Sequence, residues 1–161
     1  MRRADREIKD LSEIQKILDE TSVARIAIND ETYPYIVPMN YGYDLKDGRL
    51  TLYFHCATEG KRLALLQKNN FVSFELDIDA GLMRSGDTPC SYSFLYASIV
   101  GSGQAFFVDN LKEKAQALKK IVSHLDKSKE HKDFAYDDDA LNSVCVFKID
   151  AERFTAKGRP R

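Results

Sequence analysis

The sequence predicts an α+β fold, a mostly antiparallel, six-stranded β-barrel with flanking helices. Two observations favour it. Short stretches rich in β-branched and aromatic residues follow one another through hairpin turns. Strands and helices do not alternate in the regular way that a parallel sheet requires. The 161 residues suit a single domain, 1–161, because a chain of this length can bury a core.

The first predicted elements are a helix and a strand hairpin. Ser12 and Gln15 form the S-x-x-Q pattern of a capping box, which predicts a helix from about Ser12 to Glu20. A β-branched stretch predicts a strand at Val23–Ile28, and a second extended segment follows at Tyr33–Tyr43. The turn between them makes a hairpin the expected arrangement.

A third strand and a second helix follow. The Asp47-Gly48 turn leads into Arg49–His55, where apolar residues alternate with others and place His55 on the less apolar face. Thr58 is a candidate N-cap for a helix that begins at Lys61. This helix is expected to end near Asn69-Asn70.

Two further strands are predicted in the second half of the chain. Phe71–Leu76 should be a strand and Asp77–Pro89 a turn-rich loop. Tyr92–Val108 is a long extended stretch in which Gly101 and Gly103 permit a bend or a close backbone approach.

The last predicted elements are a helix, a linker and a strand. Asp109 can cap a helix with an apolar stripe, and the charged stretch Asp126–Asp139 predicts a solvated linker. A final strand at Ser143–Ile149 precedes a basic tail. The stripe consists of Leu111, Ala115, Leu118, Val122 and Leu125.

Composition excludes several classes of function. With 24 Lys and Arg against 25 Asp and Glu, the chain lacks a basic footprint for nucleic acid. No apolar run approaches the roughly 20 residues of a membrane span, so we expect a cytoplasmic protein without membrane contact. Neither a P-loop, a Rossmann fingerprint nor a G-x-S-x-G elbow occurs.

The metal-binding and thiol residues are scattered along the chain. Cys56, Cys90 and Cys145 form no C-x-x-C motif, which favours spectator thiols. We expect no metal site, because His55, His124 and His131 lack ligand spacing and Asp137–Asp139 lacks the remainder of a calcium loop.

The segment from Tyr53 to Leu63 is a candidate phosphate site. It runs from a strand end into a helix N-terminus, where free N–H groups and the helix dipole attract anions. Gly60 allows close approach beside Lys61 and Arg62. An ordinary helix start with solvated cations accounts for the same residues.

The segment from Pro34 to Tyr43 is a candidate lining for a planar ligand. Proline cannot donate a ladder hydrogen bond, so Pro34 and Pro38 indicate an edge strand, a bulge or a cavity wall. Backbone groups left free there could bind the polar edge of a heterocycle, with Met39 and Tyr41 as contact surface. A tyrosine-rich edge strand in a dimer interface is the alternative.

In order and spacing, four segments resemble the pyridoxamine 5′-phosphate oxidase-like split barrels, and within them the nitroimidazole-resistance (Nim) type of flavoprotein. The resemblance covers nearly the whole chain and ends at Phe154-Thr-Ala-Lys-Gly-Arg-Pro. The segments are Met-Arg-Arg-Ala-Asp-Arg-Glu-Ile at 1–8, Pro-Tyr-Ile-Val-Pro-Met-Asn-Tyr-Gly-Tyr at 34–43, Leu-Tyr-Phe-His-Cys-Ala-Thr-Glu-Gly-Lys-Arg at 52–62 and Tyr-Ala-Ser-Ile-Val-Gly-Ser-Gly-Gln-Ala at 96–105.

The resemblance implies a split barrel that forms a homodimer with FMN at the interface. The partner subunit is expected to contribute Ser98, Val100 and Gly101. Lys157 and Arg159 are further candidates, whereas Ala97 stands where family members often carry a basic residue. The residues implied around the flavin are Val37, Pro38, Met39, Asn40, Tyr41, His55, Ala57, Thr58, Gly60 and Lys61.

The same resemblance implies an FMN-dependent oxidoreductase. It would take hydride from NADH or NADPH and reduce a small molecule such as a nitro-aromatic 5-nitroimidazole. His55 is the candidate catalytic residue, because imidazole exchanges protons near neutral pH, and a packing role is the alternative. Two other classes stay open: a pyridoxamine 5′-phosphate oxidase-type enzyme and a non-catalytic flavin- or haem-binding module.

Overall fold

Alternating apolar residues build one antiparallel sheet, which four α-helices accompany in the described part of the chain. The computed structural model describes residues 3–128 and 136–159. The predicted α+β class is confirmed, with eight strands rather than six. The strands are β1 Glu7–Ile8, β2 Val23–Ile28, β3 Tyr35–Asn40, β4 Gly42–Lys46, β5 Arg49–Cys56, β6 Phe71–Arg84, β7 Tyr92–Phe107 and β8 Cys145–Arg159, and the helices are α1 Leu11–Glu20, α2 Lys61–Lys68, α3 Leu111–Leu125 and α4 Asp138–Asn142.

The sheet curls into a barrel because its two end strands are neighbours in the chain. The strand order is β3-β2-β6-β7-β8-β5-β4, with β1 paired to β8. Although β3 and β4 lie at opposite ends of this order, only Tyr41 separates them in sequence. A sheet whose ends are joined by one residue must close on itself. The free edge of β3 therefore faces the gap in the barrel wall.

Side chains of the inward faces fill the barrel. On the β5 and β8 pair, Phe54 and Phe147 lie directly opposite each other, and their rings stack with centroids 5.1 Å apart. Helix α1 contributes Ile14, Ile17 and Leu18 to the same core. Since each of these side chains is buried, the core is continuous from α1 across the sheet.

A buried polar network fastens two helices to the junction between β3 and β4. Tyr41 is 0% exposed, and its hydroxyl donates to the Leu18 carbonyl at 2.8 Å and lies 2.6 Å from Thr21 Oγ1. His124 of α3 packs its ring 4.6 Å from the Tyr41 ring, and its Nε2 lies 2.8 Å from the Thr21 carbonyl oxygen. The end of α1 and the end of α3 therefore meet at one tyrosine.

Three predicted helix caps are wrong by one or two positions. Asp10, not Ser12, caps α1, because its carboxylate accepts from the Ser12 and Glu13 N–H groups. In α3 the cap is Asn110 rather than Asp109. Gly60, not Thr58, precedes α2. In α1 and α3 a side-chain oxygen one or two residues from the predicted cap reaches the free N–H groups.

The predicted loop and tail are strands. Residues 77–84 continue β6 by pairing with β7, with an irregularity between Asp79 and Leu82 around Gly81, whose φ is +101°. Residues 150–159 continue β8, which pairs with β7 and, at its end, with β1. Pairing with the long strand β7 outweighs the local preference of these residues for turns. The predicted linker lies partly outside the described residues, and its end forms α4.

The predicted stripe on α3 is half-buried, with Leu118 packed against the cluster of Val108, Ala117 and Val146. The residues that α3 buries are Ala117, Ile121 and His124, whereas Leu125 is exposed. A search for apolar residues at helical spacing does not find His124, because histidine is polar. Its hydrogen bond to the Thr21 carbonyl allows it to be buried. Within the described ranges no helix is long and apolar enough to cross a membrane.

Folding stability should fall with acidification because of His124. Burial lowers the pKa of His124, although the bond to the Thr21 carbonyl opposes this. The folded state therefore favours neutral imidazole: the stabilisation is complete above the unfolded pKa of about 6.5 and is lost as pH falls through the folded pKa. Denaturant unfolding between about pH 7.5 and about pH 5 measures the free energy of unfolding. As the pH falls, wild type should lose up to about 1.4 kcal/mol per pH unit more of this free energy than His124→Gln does.

The matched control is His55→Gln, which removes an exposed imidazole. Its stability should follow the wild-type pH dependence. If the free energy of unfolding changes equally with pH in wild type and His124→Gln, His124 is not the source of the pH dependence.

Candidate ligand-binding site

The start of α2 is open to solvent. β5 ends at Cys56, and the exposed residues 57–60 lead into the helix. Gly60 has a φ of +128°, which other residues rarely adopt, and no side chain caps the helix. A Cβ at Gly60 would meet nothing within 4 Å. The N–H groups of the first turn have no side-chain cap, and the space beside Gly60 is open.

Arg62 carries a cationic group without a strong acceptor. Its side chain turns toward β3, where Nη1 donates to Met39 Sδ at 2.8 Å. The Nε atom is buried and has no hydrogen-bond partner. A thioether is a weak acceptor, and a buried unpaired donor costs about 1–3 kcal/mol. This arrangement suits an anion bound at the helix start.

Lys61 reaches the same hairpin from the exposed side. Its Nζ lies 2.7 Å from Asp30 Oδ2 and 5.1 Å from the centre of the Tyr35 ring. The hydrogen bond to Asp30, with its negative charge, raises the pKa of Lys61. The two segments that the sequence singled out, the α2 start and the Pro34–Tyr43 strip, therefore lie side by side.

β3 presents a free edge and two different faces. Val37 and Met39 point into the barrel, opposite Ile26 and Ala24 of β2. Pro38 and Asn40 are exposed, and Asn40 Nδ2 donates to the Ser22 carbonyl at 2.8 Å. Since β3 ends the sheet order, its backbone groups on the other side are open to a ligand.

Two predicted contact residues have structural positions instead. Tyr41 has no exposed surface, so its side chain supplies packing and hydrogen bonds rather than ligand contact. Gly101 is buried, and a Cβ there would collide with the Phe74 ring and lie 2.9 Å from the Arg153 carbonyl oxygen. Glycine is needed at 101 to make room for Phe74.

His55 lies outside the barrel, on the face of β5 opposite Phe54. It is exposed and pairs with Val146, which packs in a cluster with Ala117 of α3. No hydrogen bond or ion pair in the described part of the chain joins His55 to Lys61 or Arg62. Ala57 and Thr58 are exposed in the turn between them.

One subunit does not bring Ser98 and Val100 to β3. Both lie on the outer face of β7, where Val100 is 51% exposed. β7 is three strands from β3 in the sheet, roughly 14 Å at about 4.8 Å per strand. These residues can approach the β3 strip of a second copy but not that of their own chain.

Lys157 and Arg159 contact β7 rather than α2. Lys157 Nζ lies 5.7 Å from the centre of the Tyr96 ring, and Arg159 donates to Ser93 Oγ. A cavity of about 470 Å³ is lined in part by Arg159, Tyr96 and Ala97. Desolvation raises the pKa of Tyr96, but Arg6 and Lys157 outweigh it, so the net shift is downward.

The residues that the sequence predicted around the flavin did not include Arg62. Its adjacency to Lys61 was the available signal, but burial of its Nε depends on the approach of β3. Among the described residues no group of three or more His, Cys, Asp or Glu side chains could hold a metal ion.

The fold is a split barrel, and the start of α2 beside β3 has no side-chain cap. The family model for pyridoxamine 5′-phosphate oxidase matches residues 10–158, and the chain belongs to this family. A structure of a suggested 5-nitroimidazole antibiotic resistance protein from Bacteroides thetaiotaomicron is 33% identical, with a TM-score of 0.79 over 94% of this chain and 86% of that one.

Two more distant structures share the fold. A flavocytochrome from Azotobacter vinelandii is 17% identical, with a TM-score of 0.80 over 100% of this chain and 72% of that one. A FAD and haem binding protein from Mycobacterium smegmatis is 15% identical, with a TM-score of 0.80 over 95% and 73%. A comparison with curated proteins gave no match.

Replacing Arg62 should not destabilise the ligand-free protein. Arg62→Met keeps the chain length near Met39 and removes the unpaired Nε donor, so we expect unchanged stability or a gain of up to about 1 kcal/mol. Wild type should be stabilised by added inorganic phosphate, and Arg62→Met should not. Urea unfolding with and without phosphate measures both effects.

Lys68→Met is the control, because Lys68 lies exposed at the other end of α2. It should keep the response to phosphate. A loss of several kcal/mol in ligand-free Arg62→Met would identify Arg62 as a structural residue.

Proposed function

We propose that the protein binds FMN between the two subunits of a homodimer and uses it to reduce a small molecule. The observation that carries this proposal is the buried, unpartnered Nε of Arg62 at the start of α2, beside the free edge of β3. An anionic tail and a planar polar ring are the two parts of FMN that such a site suits. Family membership supports the same assignment.

The phosphate of FMN would lie at the start of α2. The first-turn N–H groups and the Arg62 guanidinium would hold it, and Gly60 leaves the approach open. Lys61 would add a charge after exchanging its bond to Asp30 for one to the phosphate. This exchange costs little free energy, because the exposed ion pair between Lys61 and Asp30 contributes little to stability.

The isoalloxazine ring would lie along β3. Backbone groups from Val37 to Asn40 face the gap in the barrel and can hydrogen-bond the polar edge of the ring. Pro38 offers no N–H, which leaves its neighbours to define the hydrogen-bonding pattern. Ala57 and Thr58 would border the route from ring to phosphate.

A second subunit would complete the site with Ser98 and Val100. The outer face that carries them also exposes apolar side chains, Ile36 at 61% and Val100 at 51%. Beside them Arg25 is paired with Glu75 at 3.1 Å and with Asp77 at 2.5 Å. Such a face, apolar with balanced charges, suits association with an identical copy.

FMN, when bound, supplies electron transfer between a reduced nicotinamide, NADH or NADPH, and an acceptor. The chain binds and orients the ring and excludes water from it. We assign His55 of β5 as the proton donor, since imidazole changes charge near neutral pH. The likeness to the 33% identical 5-nitroimidazole resistance protein supports a nitro-aromatic acceptor. The three cysteines are free thiols, which supports a location in the reducing cytoplasm.

Removing either cation should weaken FMN binding. Lys61→Ala and Arg62→Ala should each raise the FMN dissociation constant roughly ten- to a hundred-fold, because a charge-assisted phosphate contact contributes about 1.5–3 kcal/mol. Flavin fluorescence titration measures the change. Riboflavin, which lacks the phosphate, should bind wild type weakly and lose little further affinity in the variants.

Lys68→Ala is the matched control, since it removes a cation from the far end of the same helix. It should bind FMN as wild type does. Wild-type affinity in Lys61→Ala and Arg62→Ala alike would place the phosphate elsewhere. Sedimentation of the FMN-loaded protein should show a dimer, and a tightly loaded monomer would contradict the shared site.

His55→Ala should retain FMN but reduce the acceptor more slowly. General acid assistance is worth about 10²–10⁴ in rate. Steady-state reduction of a nitro-aromatic compound, measured across pH for wild type and variant, tests this. Equal rates and identical pH profiles would assign His55 a structural role.

Anaerobic reduction separates the enzyme from the alternatives. Bleaching of bound flavin by NADH or NADPH, followed by reoxidation with a nitro compound, supports the oxidoreductase. No bleaching with either donor would indicate a binding module. Oxidation of pyridoxamine 5′-phosphate in place of nitro reduction would indicate the oxidase, although Ala97 supplies no cation for that substrate.

A further inference from the structure

Two cysteines that lie far apart in sequence are direct neighbours in the sheet. The inward face of the β5 and β8 ladder carries three successive pairs: Leu52 with Ile149, Phe54 with Phe147, and Cys56 with Cys145. The stacked rings of the second pair show that side chains of this ladder meet across the strands. Cys56 and Cys145 continue the same row at its end.

The geometry of this pair suits a disulfide. Directly opposite residues of antiparallel strands have Cα atoms about 4.5–5.5 Å apart, within the roughly 4.4–6.8 Å that a disulfide spans. Cys56 is part of the main core, and Cys145 packs against it. The strand register therefore places the two cysteines directly opposite each other.

We propose that Cys56 and Cys145 form a reversible redox modification site, in which a low-molecular-weight disulfide such as oxidised glutathione converts the two thiols into an intramolecular disulfide. This site is independent of the flavin. It lies at the end of β5, immediately before the turn that leads to α2.

The reaction proceeds by two thiol–disulfide exchanges. The thiolate of Cys145, the more exposed of the two, attacks one sulfur of oxidised glutathione and releases one glutathione thiolate. The Cys56 thiolate then attacks the Cys145 sulfur, which forms the Cys56–Cys145 bond and releases the second glutathione. Two protein thiols are oxidised, one glutathione disulfide is reduced, and the two thiol protons pass to the glutathione thiolates.

The surroundings of Cys145 set the rate of the first exchange. Burial and the neighbouring Cys56 raise the pKa of Cys145 to about 11, with Asp109 acting in the same direction and Lys114 in the opposite one. Little thiolate is therefore present at neutral pH, so the pair stays reduced without a sustained oxidant. Mildly alkaline buffer accelerates the reaction.

The test is oxidation of the purified protein with oxidised glutathione at mildly alkaline pH, followed by alkylation and mass spectrometry. We expect the free thiols to fall from three to one. Trypsin should release residues 50–61 joined to residues 133–148, and dithiothreitol should separate them. The thermal midpoint should rise by roughly 5–15 °C on oxidation, because the crosslink closes a long loop.

Cys90→Ser is the matched control, since Cys90 is exposed and lies outside the pair. It should form the same crosslink, whereas Cys145→Ser should form none. The wild-type peptide map decides the question even if a variant folds poorly. Glutathione attached to Cys90 alone, with residues 56 and 145 still alkylated, would overturn the proposal.

Discussion

Closure of the barrel at Tyr41 is the constraint on which the rest of the structure depends. Strands at opposite ends of the sheet follow each other in the chain with one residue between them, and that residue is completely buried. Its hydroxyl needs partners inside the protein, and the last turn of α1 supplies them. Because His124 packs on the same ring, α3 is held at the same point. A satisfied buried network of this kind specifies one arrangement of helices around the barrel.

Among the described residues, Arg62 Nε is the one buried side-chain nitrogen or oxygen atom without a hydrogen-bond partner. The free edge of β3 and the start of α2 meet beside Arg62, whose Nε has no partner in an otherwise well-paired interior. Natural proteins keep few such groups, and those they keep concentrate where a ligand completes the pairing. His124 is also a buried polar residue, but its bond to the Thr21 carbonyl satisfies it, so the two residues differ in whether a partner is present.

Local patterns predicted the β2 and β3 hairpin and the inward face of β5, because each depends on neighbours in sequence. Features that depend on distant partners were missed. Residues 77–84 are strand because β7 pairs with them, and His124 is buried because Thr21 accepts its bond. The cysteines were interpreted as spectator thiols, since no spacing rule reports that β5 and β8 are adjacent. The burial of the Tyr41 side chain and of Gly101 was not predicted, because residue type alone does not reveal which face of a strand is buried.

The position of β8 has a consequence for how the chain is made. This strand lies in the interior of the sheet and pairs with β1, β5 and β7, yet it comes after all of them in sequence. During synthesis on the ribosome, β5 and β7 emerge with their facing edges unpaired, and the barrel cannot close until residues up to 159 have left the exit tunnel. Folding is therefore dominated by long-range contacts and is expected to be slow. In that interval the nascent chain exposes two strand edges to aggregation, which makes it a natural client for chaperones.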